Sequence, residues 1–103
     1  MNTSNDLEDL HGQTARLHWS ELERFFAGGK LLHVATGLDL VQVAAAVSND
    51  DTEQVQGWVE KGELGPVSDQ LALEWQGINQ MLWAVVVAPW VLVQLPKSRT
   101  NNA

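Results

Sequence analysis

The chain has 103 residues, a length that supports one domain around one core. Hydrophobic residues make up 45% and charged residues 18%, the balance of a globular protein and not of a disordered one. A net charge of −7 disfavours polyanions and anionic lipid, and zero cysteines exclude thiolate catalysis, disulfides and thiolate metal sites.

In chain order, MNTSNDLEDL has neither a basic region nor an apolar run, so no signal peptide is expected. Residues 1–6 are expected to fray, 7–95 to form one globular domain, and 96–103 to make a polar, disordered tail. Leu7, Leu10, Thr14 and Leu17 suggest a helical turn or two, weakened by Gly12. Ser20-Glu21-Leu22-Glu23 matches a capping box, followed by an apolar stripe of Leu22, Phe25 and Phe26 and a stop at Gly28-Gly29. KLLHVA (30–35) reads as a strand. Thr36 to Asp39 repeats the capping pattern in weaker form and opens LDLVQVAAAV (38–47), a helix apolar on most sides and therefore buried on most sides.

Asn49-Asp50-Asp51 breaks that helix, and Asp51 with Gln54 caps the next, which turns Val55, Trp58 and Val59 inward and stops at Gly62. Gly65-Pro66 marks a turn with a short strand beside it. Ser68 caps a fourth helix with Leu71, Trp75 and Ile78 on its inner stripe. The run LWAVVVAPWVLVQLP (82–96) is shorter than the roughly 20 apolar residues a membrane span needs, and its Val residues favour strands. It divides at Pro89 into segments 82–88 and 90–95, as a hairpin or as one strand bent at the proline. The first is expected to be covered on both faces; the second, following a residue without an N–H, is expected at an edge.

The predicted class is α+β. A single small, mostly antiparallel sheet is packed by about four helices, including a helix-turn-helix-like pair at 38–61. Phe25, Phe26, Val43, Val47, Val55, Trp58, Trp75, Ile78, Trp83, Val85, Val87 and Val91 form the predicted core.

The blocks WSELERFFAGG (19–29), LDLVQVAAAVSNDDTEQVQGWVEKGELGPVSD (38–69) and LWAVVVAPWVLVQ (82–94) resemble small bacterial proteins of the domain-of-unknown-function family 2288. The resemblance covers residues 16–95. It implies a bacterial cytosolic setting, and no activity, substrate or cofactor.

Candidate chemistry is sparse. His11 and His18 are seven apart with Glu8 and Asp9 nearby, but a metal site needs three or four convergent ligands and Gly12 interrupts the shared face. His33 reads as a partly buried histidine with a hydrogen-bond partner. The serines and threonines sit at helix starts and turns, and no nucleophile-elbow, phosphate-loop or dinucleotide pattern is present. The prediction is a non-enzyme without cofactor or metal.

The helix pair at 41–64 has the rhythm of a DNA-reading module, yet its charge is wrong for one. Between residues 38 and 74, Asp39, Asp50, Asp51, Glu53, Glu60, Glu63, Asp69 and Glu74 face a single base, Lys61, whereas DNA binding rests on cationic contacts. Function is therefore expected to be that of a non-catalytic cytoplasmic protein-interaction or regulatory module, with an unknown protein partner or self-association, and no membrane; a nucleic-acid-associated regulator is the alternative. The candidate surface is acidic, Asp50, Asp51, Glu53, Glu60 and Glu63, with Trp19 and Trp90 as exposed aromatic anchors. A self-association contact, if one exists, is expected along residues 90–95.

Overall fold

The computed structural model describes residues 14–96. Chain order is β1 (Ala15–His18), α1 (Trp19–Ala27), β2 (Leu31–Val34), α2 (Leu40–Ser48), α3 (Thr52–Glu60), β3 (Leu64–Pro66), α4 (Asp69–Ile78), β4 (Met81–Val87) and β5 (Trp90–Gln94). The class is the predicted α+β. His11, Glu8, Asp9, Leu7, Leu10, the fraying of 1–6 and the tail from 97 onward lie outside the described residues.

The helices begin where short polar side chains take up backbone N–H groups. Asp39 accepts from the amides of Val41 and Gln42, Asp51 from that of Gln54, and Ser68 from that of Leu71. The first helix departs from expectation. Residues 15–18 form a strand and not a helical turn, because Ala15 to His18 pair with Ala84 to Met81. The helix then starts at Trp19, with the His18 amide donating to Glu21 Oε2 at 3.1 Å. Ser20 lies inside it, and its amide is taken by Asn79 Oδ1 at 2.9 Å.

The sheet order is β1-β4-β5-β2-β3, antiparallel except for the parallel pair β2–β5. The 82–95 run is a hairpin across a cis Ala88–Pro89 peptide, with Val87 opposite Trp90. The expectation that β5 is an exposed edge is corrected. Pro89 sits in the two-residue turn, where no ladder N–H is required, and β5 is flanked by β4 and β2. Self-association along 90–95 therefore has no free strand edge; among the described strands β1 and β3 are the edges.

Side-chain alternation divides the core in two. On one face Leu82, Ala84, Val91, Val93 and Leu31 pack against Trp19 and Leu22 of α1 and Ala72 and Trp75 of α4. On the other, Val85, Leu92, Val34 and Leu64 pack against Leu40, Val43 and Ala44 of α2, with Val55 and Trp58 of α3 at the periphery. Burial on both faces explains the unbroken apolar run. Of the predicted core, Val43, Trp75, Val85 and Val91 are buried, while Phe25, Phe26, Val47, Val55, Trp58, Trp83 and Val87 are partly buried. Two assignments are corrected. Ile78 is 70% exposed, because the buried stripe of α4 is centred between Ala72 and Trp75, about a quarter turn away. Val59 is 49% exposed, because α3 is an outer helix with no fully buried residue.

Candidate functional site

The predicted acidic surface lies on the α2–α3 layer. Asp50 occupies the interhelical turn in a left-handed conformation, φ 60°, which Asp tolerates better than most residues. Asp51 is engaged in capping, accepting from both the amide and the side chain of Gln54. Glu60 Oε2 receives Gln56 Nε2 at 3.4 Å. Asp50, Asp51, Glu53 and Glu60 are exposed; Glu63 is partly buried, with its main chain bonded to Trp58 and Ala35. The carboxylates of Asp50 and Glu53 have no hydrogen-bond or ion-pair partner among the described residues.

The aromatic anchors fare differently. Trp19 is 2% exposed, so its expected role as an exposed anchor is corrected. Its ring is enclosed by Phe26 at 5.5 Å and Trp75 at 6.0 Å, because α1 begins at Trp19 itself and turns it onto the sheet. Trp90 is partly buried, with Lys30 Nζ 5.6 Å from its ring centre.

That contact is one of three alike. Arg16 lies over Trp83 at 5.4 Å and Arg24 over Phe25 at 4.9 Å. In so acidic a chain the only ion-pair contact among the described residues is His18 Nδ1 to Glu21 Oε2, at 3.9 Å. These three cations lie over aromatic rings and pair with no carboxylate among the described residues.

A groove that the sequence does not announce lies beside β1. Arg16 on β1, Trp83 on β4 and Gln94 on β5 stand opposite one another in register, so their side chains line one face of the sheet. The loop entering α2 forms the facing wall, with Leu38, Asp39 and Leu40, enclosing about 820 Å³ open to solvent. Gln94 is 6% exposed, and its Nε2 donates to Ala35 O at 2.8 Å and Leu38 O at 2.7 Å. The period-two rhythm of Trp83, Val85 and Val87 was the available signal; nothing in the sequence linked it to Arg16.

His33 is half-buried, edge-on to Trp75 with ring centres 5.4 Å apart, and burial pushes its pKa below 6.5. His18 is the last residue of β1 and does not lie within a helix. Among the described residues no group of three or more His, Asp or Glu is placed to hold a metal ion, and no helix is long and apolar enough to cross a membrane.

Residues 6–95 match the family model described as "Protein of unknown function (DUF2288)". The chain belongs to this family. It is also similar to PA1075 from Pseudomonas aeruginosa, whose NMR solution structure shares 44% sequence identity over 95% of this chain and 91% of that one, with a TM-score of 0.81. No curated protein matches it. These likenesses establish the family and the fold, and the family's description carries no activity.

Proposed function

We propose that the protein is a non-catalytic cytoplasmic interaction or regulatory module that engages a basic protein segment through its acidic α2–α3 layer. The observation that carries this reading is a set of exposed carboxylates, Asp50, Asp51, Glu53 and Glu60, with Lys61 as the only base in that helix pair. Carboxylates without ion-pair partners attract a cationic surface at long range and set its orientation on arrival. The same charge repels a phosphate backbone, which is why the helix pair is read as a protein surface despite its helix-turn-helix order.

The test is an NMR titration of the full chain with a Lys- and Arg-rich peptide at low and rising salt. Shifts should cluster on residues 50–63 and weaken as salt screens the contact. A parallel gel-shift series with duplex DNA addresses the alternative. Tight, salt-sensitive DNA binding by the chain alone would replace this reading with that of a nucleic-acid-associated regulator.

A further inference from the structure

The groove beside β1 is separate from the acidic layer and carries a different chemistry. Arg16 is exposed, its guanidinium carbon lies 5.4 Å from the centre of the partly buried Trp83 ring, and it meets no carboxylate among the described residues. A guanidinium presents its N–H groups as a planar fork, the geometry that receives a carboxylate in bidentate fashion. Among the described lining residues the only other charge is Asp39, whose Oδ1 is engaged by the amides of Val41 and Gln42.

Gln94 supplies a second, independent pointer. Both partners of its amide group are carbonyl oxygens, so the nitrogen must face them and the orientation of the amide is fixed. Its Oε1 is then directed away from Ala35 and Leu38, and no described residue donates to it. A buried amide thus offers one acceptor to a groove that already offers one cationic fork. Between these polar groups the wall is apolar, built from Leu38, Leu40 and Met81.

We propose that this groove binds the C-terminal residue of a peptide chain. The terminal carboxylate pairs with Arg16, the amide N–H of the same residue donates to Gln94 Oε1, and an apolar side chain covers Leu38, Leu40 and Met81. The occupant carries a single charge on an otherwise neutral body, so the chain's overall acidity opposes it weakly at physiological salt, where the screening length is about 8 Å.

The probe pair is N-acetyl-leucine and N-acetyl-leucinamide, identical except that the second lacks the carboxylate. Each is titrated into the full chain while backbone and side-chain amide resonances are followed. The acid should bind with a dissociation constant on the order of 1 mM, shifting the Trp83 indole N–H, the Gln94 side-chain amide and the Gly37 and Leu38 amides. The leucinamide should bind at least about tenfold more weakly, and Arg16→Gln should weaken the acid by a similar factor. Arg24→Gln, which removes a guanidinium outside the groove, should leave binding unchanged. A folded spectrum for Arg16→Gln makes that comparison valid, and the exposure of Arg16 favours one. Equal affinity for the two probes, shifts clustered elsewhere, unchanged binding by Arg16→Gln, or no shift at about 20 mM would each overturn the proposal. Binding of a basic peptide to the α2–α3 layer should be indifferent to Arg16→Gln, so either surface can fail without the other.

Discussion

Gln94 Nε2 donates to Leu38 O at 2.7 Å, tying the end of β5 to the loop that opens α2. The same nitrogen reaches Ala35 O, which also receives the Leu38 amide, whereas Leu38 O has Gln94 as its donor. Gln94→Leu should cost about 1–3 kcal/mol, the penalty for a buried carbonyl left without a partner. Gln94→Lys should cost more, since it places a charge where only 6% of the residue is exposed. Urea unfolding of both variants reads this directly. A Lys variant with the parent's midpoint would mean that β5 is an edge after all.

A second long-range bond joins the start of α1 to the end of α4. Asn79 closes α4 in the left-handed region, φ 48° and ψ 55°, and its Oδ1 accepts the Ser20 amide. Two substitutions separate these roles. Asn79→Gly keeps the backbone conformation and loses only the hydrogen bond, worth about 0.5–1.5 kcal/mol. Asn79→Ala loses the same bond and, unlike Gly, keeps a Cβ in the left-handed region with no polar side chain to offset it, so it should be less stable than the Gly variant by about 1–2 kcal/mol. Equal denaturation midpoints for the two variants would show that backbone conformation contributes nothing at this cap.

What the sequence made legible is local. Asp51 with Gln54 and Ser68 announce helix starts through short-range hydrogen bonds, and the β-branched run announces strands through its composition. The parallel pairing of β2 with β5 is not local, and it moves β5 from the expected edge to the interior of the sheet. The burial of Trp19 is hidden in the sequence for a related reason. Ser20 looks like a cap in isolation, but β1 delivers the chain already extended at His18 and the helix begins one residue later, with Trp19 facing the sheet. The groove depends on register across β1, β4 and β5, and register between distant segments leaves no mark in a single sequence.

His33 gives the fold a dependence on pH with a definite sign. Burial disfavours its charged form, so its folded pKa lies below the ordinary 6.5, while the unfolded chain takes up the proton more readily. The stability this contributes is fully present above about pH 6.5 and is lost as pH falls through the lowered folded value. Unfolding free energy should therefore drop between neutral and mildly acid pH, and His33→Gln should flatten the slope. Every other ionisable group is common to the two proteins, so the difference between them isolates His33. Identical slopes would show that its ring is solvated in the fold.

The two helix layers predict unequal costs for losing tryptophan. Trp75 is 3% exposed and touches Trp19 and His33, so its removal opens a cavity bounded by α1, α4 and β2. Trp75→Ala should cost about 3–5 kcal/mol. Trp58 belongs to α3, which has no fully buried residue, and packs only at the periphery of its cluster. Part of the space it leaves is already open to solvent, so Trp58→Ala should cost less, nearer 1–3 kcal/mol or so. Denaturant midpoints at matched slope give the comparison, because an unchanged slope keeps the same unfolded reference. If Trp58→Ala proves the costlier, the acidic layer is the principal cover of the sheet, and α4 is the more dispensable helix.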